Sequence, residues 1–134
     1  MHQSTRLFRL ALAIAAVAVV ACGDSTSPKI DVTGTWNLRS VDGVSVDAAP
    51  PSNVDIYFRI HEQLKLQAGG SYEDVVHAEQ IDVPTGDVLD AVTDTVNGNW
   101  TFTGSTLHLL HDGVNETGGL VGDTLKIGTF AFTR

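Results

Sequence analysis

Cysteine occurs once in the 134-residue chain, at Cys22, so no internal disulfide can form and no cysteine-rich zinc site can be built. Basic residues are scarce: eight Lys and Arg stand against sixteen Asp and Glu, a formal charge of −8. That balance argues against nucleic-acid binding, where affinity comes largely from Lys and Arg displacing phosphate counterions. Long apolar runs are also lacking. The run at residues 10–21 spans about 18 Å as a helix at about 1.5 Å per residue, against a hydrocarbon core of about 30 Å, too short for a transmembrane helix. Several catalytic signatures are missing: no Gly-x-Ser-x-Gly elbow, no His-Glu-x-x-His helix, no phosphate loop and no dinucleotide-binding glycine motif. The expectation is a non-enzyme without a cofactor. With 43% apolar residues the chain is too hydrophobic for a disordered acidic polypeptide, and its length suits one domain.

The N-terminus has its own composition. Residues 1–9 carry Arg6 and Arg9 with no acid, and the apolar run and small residues that follow complete the layout of a secretory signal. The segment Val19-Val20-Ala21-Cys22 resembles the lipobox of bacterial lipoproteins. That resemblance implies a signal peptide at residues 1–21, cleavage before Cys22, a diacylglyceryl group on its thiol and acylation of the new amino group. Several acyl chains together give stable membrane attachment. Gly23 stands where an inner-membrane retention signal would place Asp, so the resemblance implies outer-membrane delivery, facing periplasm or surface, in a host with two membranes. The mature chain has 113 residues, six basic and sixteen acidic, at a charge of −10. Residues 22–29 read as a lipidated tether, polar and small with Pro28 near its end, ahead of a domain at residues 30–134.

The domain reads as all-β. Val54, Ile56, Phe58, Ile60, Leu64, Leu66 and Ala68 alternate with polar residues, so a strand with one apolar face is expected. Glu62 falls on the apolar side, which predicts a bend or bulge there. Gly69-Gly70 suits a tight hairpin returning through residues 71–83, and Asp42-Gly43 and Asp112-Gly113 are further turn pairs. Residues 102–109 and 120–127 match at an offset of eighteen, each copy reading strand, glycine-containing two-residue turn, strand. Residues 86–96 fit a strand or a short helix; their Val and Thr content favours the strand.

Candidate ligands for a metal are few. His61-Glu62 has no second histidine nearby, and His108 and His111, three apart on a strand, point to opposite faces. Asp87, Asp90 and Asp94 lack the spacing of a calcium loop and read as solvated acids, so no metal is expected.

Gly34-Thr35-Trp36 on the first predicted strand and Arg134 at the end of the last resemble the lipocalin or calycin pattern, as found in the small lipocalin-like domains of bacterial lipoproteins. The resemblance implies a small antiparallel up-and-down β-barrel in which Trp36 plugs one end and Arg134 lies over its indole in a cation–π contact. Gly98-Asn99-Trp100 offers a second plug of the same form. Two functions are then expected. The interior, lined by Ile56, Phe58, Ile60, Leu64 and Leu66, takes a small apolar ligand, or the same face is a solid core and the domain is a structural or protein-interaction module of the cell envelope. An eight-stranded barrel has room for either.

Overall fold

The computed structural model describes residues 30–134, so residues 1–21, expected to be a signal peptide, and the whole of the expected tether at residues 22–29, Cys22 included, lie outside the described residues. Among the described residues there are nine strands and no helix: β1 (Gly34–Val41), β2 (Val44–Ser45), β3 (Ile56–Leu66), β4 (Ser71–Asp82), β5 (Val88–Thr103), β6 (Thr106–His111), β7 (Val114–Val121), β8 (Thr124–Ile127) and β9 (Phe130–Thr133). Each of β3 to β9 pairs antiparallel with the next, β1 pairs with β3, and β9 returns to β1. Eight strands thus close into an up-and-down barrel, with β2 added to β1 as a short extra hairpin. Residues 86–96 are extended from Val88 onward, because in the ladder with β4 their side chains alternate between two faces, as Val and Thr accommodate well.

The turns follow from local chemistry. Asp42-Gly43 and Asp112-Gly113 both have positive φ at each residue, the two-residue hairpin geometry whose twist matches that of the flanking strands. The sequence repeat is a repeat of hairpins: Thr103 pairs Thr106 around Gly104-Ser105, and Val121 pairs Thr124 around Gly122-Asp123. Its equivalent leucines, Leu107 and Leu125, are both fully buried in the core. The β3–β4 connection is a four-residue loop over residues 67–70, where only Gly70 of the glycine pair needs a positive φ.

The core fills one end of the barrel. Val32, Trp36, Leu38, Leu64, Leu66, Tyr72, Leu107, Leu109, Leu125 and Phe132 form one cluster, all within the compact unit Asp31–Arg134, so the barrel carries its own core. Trp36 is 2% exposed and its indole N–H donates to the Val32 carbonyl at 2.9 Å, which satisfies the ring's one polar group. The Arg134 guanidinium carbon lies 4.5 Å from the Trp36 ring centroid, and the same side chain donates to the Asp31 carbonyl. Trp100 packs against the rim of this core with its indole N–H on the Gln67 carbonyl, so Trp36 is the buried tryptophan at the closed end.

At the other end the wall is uneven. β1 pairs with β3 only as far as Asn37 opposite Gln63, and β6 pairs with β5 only as far as Leu110 opposite Asn99. β3, β4 and β5 continue as a three-stranded extension beyond both limits. Its inner face continues the barrel interior, because side chains alternate with period two.

Candidate functional site

The β3–β4 ladder is regular from Ile56 opposite Asp82 to Leu66 opposite Tyr72, with no bulge at Glu62, contrary to the expectation from the sequence. Glu62 keeps its place in the alternation and faces the barrel interior, one layer above Leu64. Three further groups meet it there. Asp74 is the β4 residue opposite Leu64, Glu116 is the β7 residue opposite Leu109, and His111 ends β6 with its Nε2 3.6 Å from the Glu116 carboxylate. The apolar core is thus capped by a carboxyl-lined mouth.

Burial decides the chemistry of this layer. Loss of hydration, followed by the nearby charges of Asp74 and Glu116, pushes the Glu62 carboxyl up to about 7. The same desolvation, with Glu116 next, raises Asp74 to about 6, and a hydrogen bond with Glu62 pulls it back in part. Protonated Glu62 is therefore the donor and the Asp74 carboxylate the acceptor. Asp74 Oδ1 is buried without a hydrogen-bond partner among the described residues. Tyr72 below is pushed up to about 12 by burial and by Glu116, so its phenol stays neutral. Gly98 on β5 makes room for that ring: a Cβ there would stand 2.6 Å from Tyr72 Cε1 and 2.2 Å from the Leu110 carbonyl oxygen.

Above the mouth, the inner face of the extension is apolar and acidic. Ile56, Phe58 and Ile60 of β3 lie beside Ala78 and Gln80 of β4, then Val92, Asp90 and Asp94 of β5. Phe58 is 64% exposed and Val92 62%. The outer face is held by a cross-strand polar network. Arg59 Nε donates to Glu79 at 2.7 Å, His77 stands 3.5 Å from Glu79, and His77 Nδ1 meets Thr93 Oγ1 at 2.8 Å. Arg59 holds the Glu79 carboxyl below the usual carboxylate range. Where β1 leaves β3, an open cleft of about 600 Å³ lies along the gap, lined by Leu38, Arg39, Val46, Glu62 and His77 among others.

The residues singled out as cavity lining separate into two groups. Leu64 and Leu66 are buried among the core side chains, whereas Ile56 and Phe58 sit on the open extension and Ile60 is half-buried between them. His108 and His111 do occupy opposite faces of β6, and among the described residues no cluster of His, Cys, Asp and Glu is arranged to hold a metal. Glu62, Asp74 and Glu116 were missed as a group. Glu62 alone had a visible signal, an acid in phase with the apolar face; Asp74 and Glu116 join it only through strand pairing. Comparison of the chain with protein families, curated proteins and solved structures gives no match.

Proposed function

We propose that this chain is a lipid-anchored, non-enzymatic interaction module of the cell envelope, tethered through Cys22, whose barrel is a packed pedestal for the β3–β4–β5 extension. One observation carries this reading. The apolar face that would line a ligand cavity is closed in the lower barrel, with Leu64 and Leu66 each 1% exposed, and open only above it at Ile56, Phe58 and Val92. An exposed apolar surface on a module with its own packed core is the usual mark of a surface for association. The cleft that reaches Glu62 favours a second reading, a small ligand in the gap between β1 and β3; the Arg39, Glu62 and His77 side chains lining it suit a polar or charged group better than a purely apolar one.

Photo-crosslinking in intact cells tests the first reading. A photoreactive side chain at Phe58 is expected to give an adduct of discrete mass, and one at the exposed Val121, beside the closed-end turn, none. Equal labelling at both positions, or none at either, overturns it. A small molecule that co-purifies with the chain, seen by native mass spectrometry and lost in Glu62→Gln, would favour the second reading instead.

A further inference from the structure

The free edge of β5 says what kind of partner the extension fits. Across residues 88–98, β5 pairs with β4 on one side and with no described strand on the other. Two backbone N–H groups on this stretch identify the free edge directly: Ala91 N–H donates to Asp90 Oδ1 and Thr95 N–H to Asp94 Oδ1, both at 2.9 Å. These donors lie four residues apart, on the same side of the strand, and each is met by the carboxylate of the residue before it instead of by a neighbouring strand. An unpaired edge of this length is a template for strand addition unless something blunts it. Here the blunting groups are charged and set in a pattern, Asp90, Val92, Asp94 and Val96 in alternation toward the mouth, with the Glu62, Asp74 and Glu116 carboxyls beyond.

That pattern disfavours a second copy. Antiparallel pairing of two β5 edges about a two-fold axis places carboxylates directly opposite when Asp90 meets Asp94. Shifting the register by one pair leaves Asp94 diagonal to its own counterpart, and like charges in such positions are destabilising. We infer that the β5 edge docks an extended polypeptide segment in which every second residue, the set sharing the inner face, is alternately basic and apolar. Its main chain extends the sheet, its basic side chains meet Asp90 and Asp94, and its apolar side chains cover Val92 and Val96. This rests on the extension being the presenting element and names what it presents to.

The probe is a labelled heptapeptide, Val-Thr-Lys-Thr-Val-Thr-Lys, whose valines and lysines share one face, titrated against residues 23–134, which contain the whole core, with fluorescence anisotropy as readout. Saturable binding is expected. It should weaken at least about tenfold when alternate peptide nitrogens are methylated, which blocks the ladder and keeps the charge, and by about tenfold in Asp90→Asn/Asp94→Asn. Asp123→Asn, at the closed end, should leave it unchanged. Equal affinity for the methylated peptide, equal loss with Asp123→Asn, or no binding at all overturns the inference. So does a wild-type protein that sediments as a dimer and becomes monomeric on Ala91→Pro, which would assign the edge to a second copy. A crosslink at Phe58 without peptide binding would remove this inference and leave the proposed function standing.

Discussion

Replacing Glu62 by Gln tests the buried carboxyl layer quantitatively. In the folded chain Glu62 holds its proton up to about pH 7, whereas the ordinary value is 4.5; Asp74 shifts the same way, from 3.8 to about 6. Between the ordinary and raised values the folded state binds more protons than the unfolded state, so stability falls as pH rises through that window. A carboxyl moved from 4.5 to about 7 would contribute about 3 kcal/mol if fully buried, at about 1.4 kcal/mol per tenfold change in proton affinity. Partial exposure at the mouth and the proton shared with Asp74 reduce this to about 1–2 kcal/mol. Glu79, shifted the other way by Arg59, has its full effect above the ordinary carboxylate value and adds no slope in this window. Urea unfolding of residues 23–134 at pH 5, 6, 7 and 8 should therefore show stability declining by about 1–2 kcal/mol. Glu62→Gln should flatten much of that decline, matching the parent within about 0.5 kcal/mol at pH 5 and exceeding it by about 1–2 kcal/mol at pH 8. Parent stability that rises from pH 5 to pH 8, or a slope that survives unchanged in Glu62→Gln, would refute the assignment.

Arg134→Ala should cost about 1 kcal/mol in urea unfolding and alter the emission of Trp36, whose ring it covers; identical spectra and stability would mean the contact carries no energy. Gly98→Ala should destabilise by about 1–3 kcal/mol, since its methyl group would meet the Leu110 carbonyl and the Tyr72 ring; a neutral result would contradict the β4–β5–β6 packing. Leu107→Ala, in a fully buried position, should cost about 2–5 kcal/mol by thermal or urea unfolding, and a loss below about 1 kcal/mol would argue for space around it. In the expression host, Cys22→Ser should abolish incorporation of radiolabelled palmitate and release the chain from the membrane fraction. Labelling that persists would exclude Cys22 as the lipid site.

Much of the barrel was legible in the chain because its signals are local. The Asp-Gly pairs can adopt positive φ wherever they occur, and the two glycine-containing hairpins repeat because each must place one leucine, Leu107 or Leu125, on the same inner wall. The carboxyl layer was less legible. An acid on an apolar face admits two accounts, a register break or a buried proton. The choice depends on whether another acid stands across the ladder, and Asp74 is twelve residues away from Glu62 and Glu116 more than fifty.

The sequence by itself determined the all-β class, the alternation of faces, the turns, and the expectation of an exported, lipid-anchored chain drawn from residues 1–22. Only the tertiary structure decided where the apolar face of β3 becomes core and where it is left open. That boundary is set by the neighbouring strands: β1 stops pairing with β3 at Asn37 and β6 with β5 at Leu110, so Leu64 and Leu66 are enclosed while Phe58, on the same face of the same strand, is not. Burial is a property of what surrounds a residue, and period two specifies a direction without saying whether anything lies in it.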